Sequence, residues 1–262
     1  MNDETSTAFA AADIGNSRLK VALFEQPLAA PLPEPARVTN LASPEADPDH
    51  LIDWLRPYEA SQIDWWISSV NRPAATQLVD WLRDHGAGSR ITMLTASDLP
   101  LQVSLERPDM VGIDRLLAAL AADRLREVGR AAVVVDLGSA IEVDLVSPDG
   151  AFCGGAILPG IGMSARAMHE FTDLLPLLDM QDLNEPPAIV GTSTVEAMTA
   201  GIYWGAIGGI RELLSRISAD LDAEPDVFLT GGAAADVGKL IHDRAKYVPN
   251  LILAGIALAA SS

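Results

Sequence analysis

Two apolar segments of this chain end in the same short turn. Phe9 to Asp13 runs into Asp13-Ile14-Gly15-Asn16-Ser17, and Ala131 to Asp136 runs into Asp136-Leu137-Gly138-Ser139-Ala140. Each places an acid at the end of a strand-like run, then a glycine, then a hydroxyl one or two residues on, and each is followed by further strand-like sequence. Leu19 to Phe24 completes the first hairpin; Ile141 to Val146 and Phe152 to Ile157 follow the second turn. Such a repeat implies a duplicated architecture, with two halves spanning residues 1–117 and 118–262.

Between and after these hairpins, strand and helix patterns alternate, so the fold class is α/β. Ile63 to Val70 and Ile91 to Leu94 are strand-like, and Pro73 to Asp84 is a helix opened by proline. Ile113 to Val128, Thr194 to Ser218 and Ala233 to Arg244 have helical spacing, and Asp226 to Leu229 is a strand leading into the tight turn Thr230-Gly231-Gly232. The Pro- and Ala-rich stretch Leu28 to Asp49 has the composition of a loop.

Charge narrows the function classes. Eighteen basic against 36 acidic side chains give a net charge of -18, which disfavours nucleic acid and anionic membrane surfaces as partners. The acidic start Met1, Asn2, Asp3, Glu4 is unlike a signal peptide, and the apolar run Leu251 to Ala260 is too short to span a bilayer. A single cysteine, Cys153, fits a reducing compartment, so a cytoplasmic location is expected. The four histidines have no metal-ligand spacing, and the five tryptophans suit core filling.

Glycine at a strand-to-turn junction lets backbone N–H groups approach a phosphate, and an adjoining hydroxyl or amide adds a donor. Three such turns, two led by strand-end aspartates, suit a cleft that grips a nucleotide from two sides. Asp13, Gly15, Asn16, Ser17, Lys20, Gly138, Ser139, Gly231 and Gly232 are the candidate ligands of the nucleotide and its phosphates. Asp13 and Asp136 are the candidate ligands of Mg²⁺, which takes hard oxygens and keeps most of its waters. Taken singly, each Asp-x-Gly turn is equally a carboxylate capping its own turn. In Gly112-Ile113-Asp114-Arg115 an acid and a guanidinium open a helix. There Asp114 could deprotonate a hydroxyl while Arg115 clamps a carboxylate, or the two could form an ordinary N-terminal acid and ion pair.

These strings, with Ser68-Ser69-Val70-Asn71, Pro108 to Arg115, Gly154-Gly155-Ala156-Ile157-Leu158-Pro159-Gly160 and Thr194 to Gly201, resemble the type III pantothenate kinases. This is the Bvg accessory factor branch of the acetate and sugar kinase, Hsp70 and actin superfamily. The resemblance implies two ribonuclease H-like, actin-like ATPase half-domains around a central cleft. It also implies phosphorylation of pantothenate by ATP, the first committed step towards coenzyme A, in a homodimer using Mg²⁺ and a monovalent cation, K⁺ or NH₄⁺. Asp114 would be the base, Gly112, Ile113 and Arg115 would touch pantothenate, and Thr194 would reach it from the partner subunit. Two positions depart from the family: Glu142 replaces the usual threonine, and Leu105 replaces an aromatic that is often present. They leave two alternatives standing, a nucleotide-binding regulatory paralogue with impaired turnover and a kinase for another small hydroxy acid.

Overall fold

The computed structural model describes residues 8–26, 28, 30–41, 47–58, 60–87, 90–179, 186–232 and 234–262. The acidic start Met1 to Glu4 lies outside them, as does Ala233, where the last expected helix begins. Strands β1 (Ala8–Ile14), β2 (Leu19–Glu25) and β3 (Arg37–Leu41) precede helix α1 (His50–Leu55). Next come β4 (Asp64–Ser69), α2 (Arg72–Asp84), β5 (Arg90–Met93) and α3 (Ile113–Leu125). They are followed by β6 (Ala132–Leu137), β7 (Ala140–Val146), β8 (Phe152–Pro159), α4 (Ile161–Glu170) and α5 (Thr194–Ala219). The chain finishes with β9 (Asp226–Thr230), α6 (Ala234–Ile241), β10 (Lys246–Tyr247) and α7 (Leu251–Ala260).

Packing divides the chain into two compact units. One comprises Met1–Gln102, Glu106–Leu125 and Asn250–Ser262; the other comprises Val103–Leu105 and Arg126–Pro249. Helix α3 therefore stays whole within the first unit, and the chain returns there for α7.

Each unit holds a five-stranded mixed sheet, and the two sheets share one topology. In the first the order is β3-β2-β1-β4-β5, with β1–β2 and β2–β3 antiparallel and β1–β4 and β4–β5 parallel. In the second it is β8-β7-β6-β9-β10, with β6–β7 and β7–β8 antiparallel and β6–β9 and β9–β10 parallel. Strand for strand, β6 to β10 repeat β1 to β5. This is the duplication that the two Asp-x-Gly turns imply.

The central strands are apolar almost end to end because both faces are covered. On one face of the first sheet, Ala10, Ala12, Ile14, Val21, Leu23, Trp65 and Ile67 pack against Ala74, Leu78 and Trp81 of α2. That helix starts where Asn71 caps it, its side chain accepting from Ala74 N at 3.2 Å, with Pro73 in the first turn. Helices α3 and α7 pack together and reach β1 and β4. The apolar run Leu251 to Ala260 is thus a core helix, and no helix among the described residues is long and apolar enough to cross a membrane.

The contact between α3 and α7 depends on one glycine. A Cβ on Gly255 would collide with the carbonyl oxygen of Leu117 and approach the Leu117 Cα to 3.1 Å. Gly255→Ala should therefore lower stability by about 2 kcal/mol, overpacking outweighing the better helix propensity of alanine. Urea unfolding checks this, and a variant as stable as the parent would mean that the helices can move apart freely.

Two elements depart from the sequence reading. The stretch Leu28 to Asp49 is not all loop, because β3 lies within it and pairs with β2, as in Leu23↔Arg37 and Leu19↔Leu41. Its proline-rich approach hides a five-residue edge strand, whose Arg37 guanidinium stacks 5.3 Å from the Trp54 ring. The helix expected over Ile113 to Val128 stops at Leu125, where the chain turns through Arg126 to Gly129, the last with φ +79°. Arg126 holds that turn by donating to the carbonyls of Arg130 and Pro148, both at 2.9 Å.

Candidate functional site

In the first unit the candidate residues gather at the carboxyl ends of β1 and β4. Asp13 is 9% exposed and stands opposite Lys20 on β2 and Ser68 on β4, while Lys20 stands opposite Asn40 on β3. Side chains at paired positions share a face of the sheet. Asn40, Lys20, Asp13 and Ser68 therefore form one polar row across four strands. Beyond Ile14 the chain reverses through a four-residue turn closed by Gly15 N donating to Arg18 O at 2.9 Å, leaving Asn16 and Ser17 exposed at its tip.

The start of α3 comes to the same end of the sheet. Val70, just past β4, donates its N–H to Ile14 O at 3.1 Å, and its Cγ1 lies 3.8 Å from where a Gly112 Cβ would be. Asp114 Oδ1 lies 2.5 Å from that same point, so only a glycine at 112 lets the carboxylate fold back over the backbone. The carboxylate accepts from Arg115 N at 2.9 Å, and Gly112 O accepts from Arg115 N and Leu116 N. Ile113 is buried, while Asp114 and Arg115 are half-buried. Asp13, Val70 and the Gly112 to Arg115 turn thus belong to one end of one unit. Next to them, Arg107 donates to both oxygens of Asp109, a charged hydrogen bond that holds the Asp109 carboxyl below the usual carboxylate range.

The second unit repeats the pattern around Asp136. It stands opposite Glu142 on β7 and Thr230 on β9, and Glu142 stands opposite Ile157 on β8. Glu142 therefore occupies the position that Lys20 holds in the first unit. The turn is tighter, with Gly138 N donating to Ala140 O at 3.0 Å. A Cβ on Gly231, whose φ is +93°, would sit 2.5 Å from Asp136 Oδ1, and one on Gly138 would sit 3.3 Å from it. The carboxylate thus lies in a cradle of two glycines. Gly160 at the end of β8 passes under the same turn, where a Cβ would strike Ser139 O and come within 2.7 Å of Gly138 O. Ser139 and Gly232 are exposed. These carboxylates and hydroxyls are hard oxygen donors of the kind that suits Mg²⁺.

Thr194 lies elsewhere in the second unit, as the exposed first residue of α5. Ser193 caps that helix by accepting from Glu196 N at 3.2 Å, and the Glu196 carboxylate accepts from Thr192 N and Oγ1. The Thr192 hydroxyl, followed by its backbone N–H, keeps the Glu196 carboxyl below its ordinary pKa. Leu105 also belongs to this unit, its Cδ2 lying 3.3 Å from where a Gly154 Cβ would be.

Sequence reasoning did not assign roles to Ser68, Thr230 or Gly160. Their importance follows from register and close approach, and the only signal in the sequence was their place inside the strings that carry the family resemblance.

A family model described as type III pantothenate kinase matches residues 10–216. The type III pantothenate kinase of Dehalococcoides mccartyi is 34% identical over 206 residues, covering 78% of this chain and 76% of that protein. The type III pantothenate kinase of Acidiphilium cryptum is 36% identical over 163 residues, covering 62% of this chain and 59% of its own length, so the match spans less than two thirds of that relative. Among solved structures, ethanolamine utilization protein EutJ from Carboxydothermus hydrogenoformans superposes with a TM-score of 0.53 at 14% identity, covering 98% of this chain and 91% of that one. Glucokinase from an Antarctic psychrotroph gives 0.52 at 11% identity, covering 98% and 99%. At such identities the likeness concerns fold alone, the α/β actin-like ATPase type. A family pattern held from residue 10 to residue 216, on a duplicated fold of this kind, leads to one conclusion: this chain belongs to the type III pantothenate kinase family.

Proposed function

We propose that the protein transfers the γ-phosphoryl group of ATP to the terminal hydroxyl of pantothenate, giving 4′-phosphopantothenate on the route to coenzyme A. The observation that carries this reading is the family match over residues 10–216. The geometry supports it, because Asp114 is held half-buried over Gly112 at the first turn of α3, at the same end of its unit as Asp13.

In this reading Asp114 takes the proton of the attacking hydroxyl. The hydroxyl oxygen forms the new P–O bond as the bond from the γ-phosphorus to the bridging oxygen breaks, and ADP leaves with that electron pair. Gly112, Ile113 and Arg115 hold pantothenate, the guanidinium taking its carboxylate. Asn16, Ser17 and Lys20, with the backbone at Gly15, serve the phosphates from the first unit. Gly138, Ser139, Gly231 and Gly232 serve them from the second. Asp13 and Asp136 would hold Mg²⁺. When bound, that ion neutralises charge spreading over the transferred group; the protein's own part is positioning.

A monovalent cation, K⁺ or NH₄⁺, and a cytoplasmic location belong to the same proposal, as does a homodimer in which Thr194 serves the partner's pantothenate. The second unit exposes Phe171, Leu174, Leu177, Ile189 and Val190, an amount of bare apolar side chain that favours a self-contact near α5.

The test is ADP release by purified protein with ATP, Mg²⁺ and a panel of hydroxy acids, with and without potassium. Release that depends on pantothenate is expected. Release with a different acceptor alone would transfer the reading to that substrate, and ATP binding without any acceptor-dependent release would favour the regulatory alternative.

A further inference from the structure

Ser68 and Ser69 are neighbours at the end of β4, yet their hydroxyls are treated differently. Ser69 Oγ donates to Asn71 O at 2.9 Å and accepts from Asn71 N at 3.0 Å, closing the turn into α2. Ser68 is fully buried, and its Oγ has no hydrogen-bond partner among the described residues. A buried hydroxyl left without a partner is destabilising, and packing does not require one here, since β1 and β2 fill the same face with the buried alanines Ala11 and Ala22. The hydroxyl therefore calls for a partner from outside the fold.

Its position indicates which one. Ser68 stands directly opposite Asp13, so its side chain shares the Asp13 face of the sheet. The second unit repeats the pairing with an independent residue, Thr230 opposite Asp136, and Thr230 is buried as well. In both units, then, the acid that ends the first strand of the sheet is flanked on its parallel neighbour by a buried hydroxyl.

We infer that Ser68 is a positioning residue for the Mg²⁺·ATP that the kinase reading assigns to Asp13, its Oγ gaining with the loaded nucleotide the hydrogen-bond partner it lacks among the described residues. This rests on the proposed function, and on Ser68 having no duty in holding the strand together.

The experiment compares the full-length protein with Ser68→Ala and Ser68→Thr, by thermal melting without ligand and by titration with Mg²⁺·ATP. Ser68→Ala should melt no lower than the parent without ligand, yet bind Mg²⁺·ATP about tenfold more weakly, the loss of one hydrogen bond. Ser68→Thr, which copies Thr230 and keeps the hydroxyl, should bind within about threefold of the parent. An alanine variant with parental affinity overturns the inference while leaving the kinase reading intact, as does one whose ligand-free melting temperature falls. A parent protein that gains no thermal stability from Mg²⁺·ATP overturns both together.

Discussion

Asp114→Asn should leave a folded protein whose turnover with pantothenate is lower by roughly 10² or more. Asparagine has the shape of aspartate and keeps an oxygen to accept from Arg115 N, the bond that fixes the side chain at 2.9 Å. It also keeps the fold-back over Gly112 that the missing Cβ permits. What it loses is the capacity to take a proton, so the damage should appear in kcat, with the KM for ATP little changed. Steady-state kinetics beside a melting curve separate the two effects. Near-parental turnover would remove Asp114 from the base role, and a drop in melting temperature would show that its charge holds α3 in place.

Gly231→Ala should be strongly damaging to the second unit. The residue has φ +93°, and its Cβ would meet Asp136 Oδ1 at 2.5 Å and Leu137 N and C at 2.6 Å. Backbone strain at positive φ costs about 1–2 kcal/mol and forced overpacking adds about 1–3 kcal/mol. Movement of the carboxylate alone cannot relieve the clash, because the backbone N and C of Leu137 would still lie 2.6 Å from the new Cβ. A stability loss of about 2–5 kcal/mol is expected, with a rise of about tenfold in the KM for ATP as the cradle around Asp136 is pushed open. Gly86→Ala provides the control. Gly86 has φ +55° with nothing within 4 Å of its Cβ position, so that variant should show strain alone. Equal losses at the two sites in urea unfolding would mean that Asp136 and Gly231 do not press on each other.

The duplicated hairpins were legible because their strands are continuous apolar runs punctuated by glycine, a local signal. β3 was not, since Arg37, Val38, Thr39 and Asn40 alternate too weakly to stand out after Pro31, Pro33 and Pro35. Nor was β10, whose two residues exist as a strand only through pairing with Phe228 and Leu229. The return of α7 to the first unit depends on Gly255 meeting Leu117, a contact across more than half the chain that no periodicity encodes.

The candidate site divides in the same way. Asp13, Asp114 and Asp136 could be picked out because acids beside glycines at strand or helix ends are conspicuous. Ser68, Thr230 and Gly160 could not, because their roles depend on cross-strand register and on which backbone passes within a few ångströms. Glu142 was visible as a departure from the family. Its meaning changes with the register, which sets it opposite Asp136 where the first unit sets Lys20 opposite Asp13.

The most direct measurement is the mass of pantothenate after incubation with the purified protein, ATP, Mg²⁺ and potassium. Pantothenate should gain one phosphoryl group, matched mole for mole by ADP, and the gain should be lost in Asp114→Asn. Unchanged pantothenate, from a protein shown to be folded and to bind ATP, would contradict the kinase reading.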